Sequence, residues 1–100
     1  TTLILHGYDY AIPKPNGEYL GRRFEALGYT ISGGMPKKIV REAIDRYYAT
    51  LKGVAATADP RVKVVDCRNA VGTRWHDELH ATTAGAGAVA SQFKATMGIS

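Results

Sequence analysis

One hundred residues, 45% hydrophobic and 22% charged, suit a single globular domain or part of one and exclude both a disordered tail and a two-domain protein. No window approaches the roughly 18 apolar residues of a membrane span, and Thr1-Thr2-Leu3-Ile4-Leu5 lacks the basic start of a signal peptide, so a soluble chain of unassigned compartment is expected. The formal charge of +4 is scattered over Lys14, Arg22, Arg23, Lys37, Lys38 and later single positions without interleaved aromatics, which argues against a nucleic-acid partner, and the single Cys67 excludes an internal disulfide.

Leu3-Ile4-Leu5-His6 is a short unbroken apolar run that stops at Gly7, the pattern of a strand buried on both faces of a parallel sheet. With no initiator Met before it, such a strand leads to the expectation that the chain starts inside a larger domain. Gly7 to Gly34 reads as loop, punctuated by Pro13, Pro15, Asn16-Gly17 and Gly33-Gly34. Within it, Leu20, Phe24 and Leu27 stand at helical spacing before Gly28 and predict a helix of about ten residues. Tyr8, Asp9, Tyr10 and Tyr19 then lie at or near the mouth of the sheet, where open α/β folds bind ligands; half-buried packing explains them equally well.

Pro36 to about Val54 predicts a helix, with Pro36 at its first position, where its missing N–H has no partner to lose. Val40, Ile44, Tyr47, Leu51 and Val54 form an apolar stripe, and Lys38/Glu42, Arg41/Asp45 and Glu42/Arg46 stand as opposite charges four apart. After Asp59-Pro60, Val62-Lys63-Val64-Val65 reads as a second strand. Strand, crossover helix, strand requires parallel pairing. Thr82 or Thr83 caps a last helix whose stripe is Ala86, Val89, Ala90, Phe93 and Met97; Gly85 and Gly87 weaken it by roughly 1 kcal/mol each and allow close approach to the sheet. The expected class is α/β, parallel strands with flanking helices.

Between second strand and last helix, Trp75-His76-Asp77-Glu78-Leu79-His80 gathers two histidines and two carboxylates in a chain with three histidines in all. One reading makes Asp77 and His80 the acid and base of a hydrolytic relay: a carboxylate on one ring nitrogen sets the tautomer and leaves the other free to take a serine proton. A second makes His76 and His80 metal ligands four apart, which needs them inside a helix with a third ligand elsewhere. In a third, both are plain loop residues. Under the first reading His76 and Glu78 are solvated neighbours.

Val62-Lys63-Val64-Val65-Asp66, a short loop and then Trp75-His76-Asp77-Glu78-Leu79-His80-Ala81-Thr82-Thr83-Ala84-Gly85 resemble the C-terminal block of the SGNH (GDSL-type) hydrolases. There Asp-x-x-His, followed by Pro-[Thr/Ser]-x-x-Gly and a final helix, supplies the acid and base of a serine triad. Ile4-Leu5-His6-Gly7-Tyr8-Asp9-Tyr10 also resembles the strand and active-site loop in the middle of bacterial members. Ala81 stands where relatives carry Pro. The family's Gly-Asp-Ser nucleophile block and its Gly and Gly-x-Asn-Asp oxyanion blocks are missing, and Ser32, Ser91 and Ser100 have no such context.

The resemblance implies that residues 1–100 are a single partial domain, the C-terminal half of a three-layer α/β/α, flavodoxin-like fold. Its implied activity is that of a serine esterase or lipase-like enzyme cleaving carboxylic esters through an acyl-enzyme, without cofactor or metal. Asp77 is then the acid, His80 the base, and Tyr8, Tyr10 and Trp75 line the acyl or alcohol pocket. The expected partners are the missing N-terminal half of the same domain, or a second copy, and a small ester. A non-catalytic binding or assembly module that kept the fold is the rival, with the histidine metal site behind it.

Overall fold

A computed structural model describes residues 2–98. The elements run β1 (Leu3–His6), α1 (Gly21–Ala26), a 3₁₀ turn (Ile31–Gly33), α2 (Met35–Thr57), β2 (Val62–Val65) and α3 (Thr83–Met97). β1 and β2 pair in parallel, Leu3 opposite Val62 through His6 opposite Val65, with α2 as the connection between them. The chain is therefore mixed α/β with a small parallel sheet. No described helix is long and apolar enough to cross a membrane.

The molecule is a slab of 46 × 30 × 16 Å whose 15.4 Å radius of gyration exceeds the roughly 13 Å usual for a folded domain of this length. A slab has little interior: among the described residues the buried apolar side chains are Pro13, Pro36, Tyr48, Val65, Cys67, Ala70 and Val71. β1 is not buried on both faces as its sequence suggests. Leu3 is 57% exposed and His6 is exposed, while Ile4 and Leu5 are half-buried. The cause is layering: both long helices lean on β2, and β1 has β2 alone as a strand neighbour among the described residues.

α2 starts after Gly34, whose φ of 79° closes the 3₁₀ turn, and carries Pro36 in its first turn. Its inward stripe is Pro36, Val40, Ile44, Tyr48, Leu51 and Ala55; Tyr47 and Val54, placed in the stripe by spacing, are largely exposed. Tyr47 and Tyr48 fit a 3.6-residue period equally well between Ile44 and Leu51. The end of β2 decides between them, because the Tyr48 hydroxyl accepts the Cys67 N–H at 2.9 Å. Of the three expected ion pairs, Glu42–Arg46 forms at 2.9 Å, whereas Asp45 turns away from Arg41 to Arg68 at 3.1 Å and to the Tyr10 hydroxyl.

α3 is capped by Thr82, whose hydroxyl accepts the Gly85 N–H at 3.2 Å. Its inward face is Gly85, Ala88, Val89, Phe93 and Thr96, so Ala86, Ala90 and Met97 of the expected stripe face solvent. The helix turns Gly85 inward because the backbone of the loop before it comes so close. A Cβ there would lie 2.7 Å from the Arg74 carbonyl oxygen and 3.1 Å from Val71 Cγ1, whereas one on Gly87 meets nothing. Gly85→Ala is therefore expected to destabilise by about 1–3 kcal/mol, and Gly87→Ala to stabilise by up to about 1 kcal/mol, opposite shifts readable as urea midpoints.

Candidate functional site

The loop leaving β2 returns on itself before α3. Trp75 and Ala81 face each other in an antiparallel bridge, the Thr82 N–H donates to the Arg74 carbonyl at 2.8 Å, and the His76 N–H donates to the His80 carbonyl at 2.7 Å. Inside this closed turn Asp77 Oδ1 accepts the N–H groups of Leu79 at 2.9 Å and His80 at 2.7 Å. Asp suits the place because its short carboxylate reaches backbone two and three residues ahead. The same carboxylate faces the imidazole: His80 Nδ1 lies 3.0 and 2.9 Å from its two oxygens.

The Leu79 N–H first, then the His80 N–H and imidazole, hold the Asp77 carboxyl down to about 2 against the opposing effect of burial. Asp77 is thus an anion at neutral pH, and an anion at Nδ1 selects the tautomer with its proton there. Nε2 then carries the lone pair. It has no hydrogen bond to a described residue, and the His80 side chain is 62% exposed. The Tyr19 ring stands edge-on to the imidazole, centroids 5.6 Å apart.

Glu78 is not the solvated neighbour that its position suggests; it is 2% exposed. Its side chain leaves the turn inward and meets the segment 14–21 between β1 and α1. Oε1 accepts the Tyr19 and Leu20 N–H groups, both at 2.9 Å, and Oε2 accepts those of Lys14 at 2.9 Å and Gly21 at 2.7 Å. No side chain of α1 caps its own N-terminus, so this distant carboxylate does it. A Cβ on Gly17 would strike the carboxylate, and one on Gly21 the Lys14 carbonyl. Burial alone pushes the Glu78 carboxyl up; the four N–H donors outweigh it and hold it below the usual 4.5. His76 is exposed.

Asp9 plays the same part on the other side. It is 4% exposed and accepts the N–H groups of Tyr10, Asn69, Val71 and Gly72, tying the loop after β1 to the loop after β2. Reading along the chain places Asp9 near the sheet mouth but misses this clamp, as it misses the latch at Glu78. The available signals are indirect: a carboxylate just past a strand's closing Gly7, and a second one facing a segment with two small residues, Gly17 and Gly21.

The three expected pocket residues do not gather in one place. Tyr8 and Trp75 share, with Asp9 and Leu79, the wall between two adjoining cavities of about 190 and 310 Å³; Phe93 and Val89 close the first and Ile44 lines the second. Asp77 and His80 line neither, though Leu79 and Trp75 belong to their turn. Tyr10 sits elsewhere. Its hydroxyl donates to Asp45 and the Arg41 guanidinium lies 3.9 Å from its ring centre, so Tyr10 joins a polar cluster with Arg68 and Asp66.

Neither serine within the described residues hydrogen-bonds to His80: Ser91 donates to the Gly87 carbonyl within α3, and Ser32 lies in the 3₁₀ turn. The His76/His80 pair lacks the helix that metal ligation at that spacing requires, and no three described His, Cys, Asp or Glu residues converge as a ligand set. Comparison of the chain with protein-family models, curated proteins and solved structures finds no match. The site's own geometry therefore carries the reading.

Proposed function

We propose that Asp77 and His80 are the acid and general base of an SGNH-type serine ester hydrolase, and that this chain is the C-terminal half of its three-layer domain. The supporting observation is an ionised carboxylate 2.9 Å from His80 Nδ1, with Nε2 on an exposed face and unpartnered among the described residues. In the intact enzyme Nε2 takes the hydroxyl proton as a serine from the other half attacks an ester carbonyl. It returns that proton to the departing alcohol, and water repeats the cycle on the acyl-enzyme. Tyr8 and Trp75 then offer an apolar wall to the acyl or alcohol group. The exposed β1 and the thin slab are in keeping with a partner half that extends the sheet.

The test joins the chain to an upstream segment carrying a Gly-Asp-Ser block and follows p-nitrophenyl acetate hydrolysis. His80→Ala is expected to lower kcat by about 10³–10⁴-fold, the scale of losing a triad base. Unchanged turnover would remove His80 from the mechanism. The non-catalytic module draws on one observation, the lack of any described serine bonded to His80; it takes over if the joined protein turns over no faster than its His80→Ala variant.

A further inference from the structure

Two neighbouring carboxylates divide the work of the closed turn. Asp77 holds the imidazole directly, while Glu78 leaves the opposite side and fills a concavity of four backbone N–H groups in the segment 14–21. Successive N–H groups converging in this way form an anion-binding nest, and here the anion is the chain's own. One of the four donors is Tyr19, the residue whose ring stands edge-on to His80 at 5.6 Å and 66°. The latch thus runs from the residue beside Asp77, through the Tyr19 backbone, back to the ring that flanks the imidazole. Gly17 and Gly21 keep the concavity open, since a side chain at either would collide with the carboxylate or with the Lys14 carbonyl.

We propose that Glu78 is a positioning residue for His80: through its nest it keeps Tyr19 against the imidazole, and so keeps Nδ1 on Asp77 and Nε2 turned outward. This rests on reading His80 as the general base, yet it is tested on the imidazole itself, so absent hydrolysis and an absent latch are separate results. The His80 side chain is 62% exposed, and among the described residues Asp77 and the Tyr19 ring are what face its imidazole; with the ring turned away, Nδ1 loses the carboxylate that selects its tautomer.

The experiment measures the His80 tautomer by ¹⁵N NMR of this chain, with nuclear Overhauser contacts between Tyr19 and His80. Glu78→Gln keeps one acceptor oxygen and turns an amide NH₂ on two of the four donors. The expected result is loss of the Tyr19–His80 contact and a shift from one tautomer, protonated at Nδ1, to a mixture of both. Tyr19→Ala leaves the nest intact and should give the same mixture, and it decides the matter alone if Glu78→Gln does not fold. A Glu78 that serves stability only would lower the unfolding midpoint and leave the tautomer as in the parent. That outcome, or an unchanged tautomer in Tyr19→Ala, overturns the proposal.

Discussion

Glu78→Ala is expected to destabilise the chain by about 3–4 kcal/mol, a large share of what a small domain has. A buried donor left without its acceptor costs about 1–3 kcal/mol, and here one buried donor, Gly21, and three part-buried ones, Lys14, Tyr19 and Leu20, are orphaned at once. The total falls short of their sum because the segment 14–21 lies at the surface and opens to water. The latch also has a pH signature. A carboxyl held below its ordinary 4.5 in the folded state adds stability that is fully present above that value and lost as pH falls through the lowered one. Urea midpoints measured from pH 7 down to about 3 should therefore drop for the parent chain below about 4.5. In Glu78→Gln that part of the slope should be missing, leaving the share of the other depressed carboxyls, Asp45, Asp59, Asp66 and Asp77. An identical pH profile in the two proteins would show that Glu78 is not held as an anion.

Asp77→Asn is expected to lower hydrolysis by the joined enzyme about 10³–10⁴-fold while leaving the turn folded. The reason lies in which atoms the amide can replace. Oδ1 accepts two backbone N–H groups, so the Asn carbonyl takes that place and its NH₂ takes the place of Oδ2 beside His80 Nδ1. An NH₂ donates, so Nδ1 becomes the acceptor and the proton moves to Nε2, where a general base needs a lone pair. In this chain alone the same ¹⁵N measurement should show the tautomer protonated at Nε2. Full activity with a reversed tautomer would mean that His80 is not the base; a retained tautomer would mean that the carboxylate does not select it.

Local signals were enough for most of the elements, although α1 runs six residues where about ten are expected and the 3₁₀ turn at Ile31–Gly33 falls in a stretch read as loop. Pro36 and the period of α2, the β-branched run of β2 and Thr82 as a cap depend on neighbours within a few residues, and each stands where those neighbours place it. The Asn16-Gly17 turn is of the same kind: Asn16 adopts a φ of 55°, a conformation its short side chain tolerates better than most. Faces were less legible. Tyr47 and Tyr48 satisfy one period, as do Gly85 and Ala86, and a single shifted residue moves the buried stripe around the helix. The burial of β1 was misread for a related reason, since an apolar run records what a strand could cover and not how many layers are present to cover it.

At the site, spacing offered Asp77 and His80 as one of three readings and the family resemblance brought them forward; a carboxylate three positions before an imidazole needs only one short turn to reach Nδ1. Sequence by itself thus determined the α/β order, the parallel pairing that strand-helix-strand demands, and the closeness of the Asp77 carboxylate to His80. Tertiary structure alone decided that Asp9 and Glu78 are interior clamps, that Tyr10 leaves the company of Tyr8 and Trp75, and that Tyr19 flanks His80. The Asp9 and Glu78 clamps reach residues about 60 positions away, through backbone N–H groups that every residue but proline carries. No side-chain pattern can announce which N–H groups will converge; folding has to bring them together first.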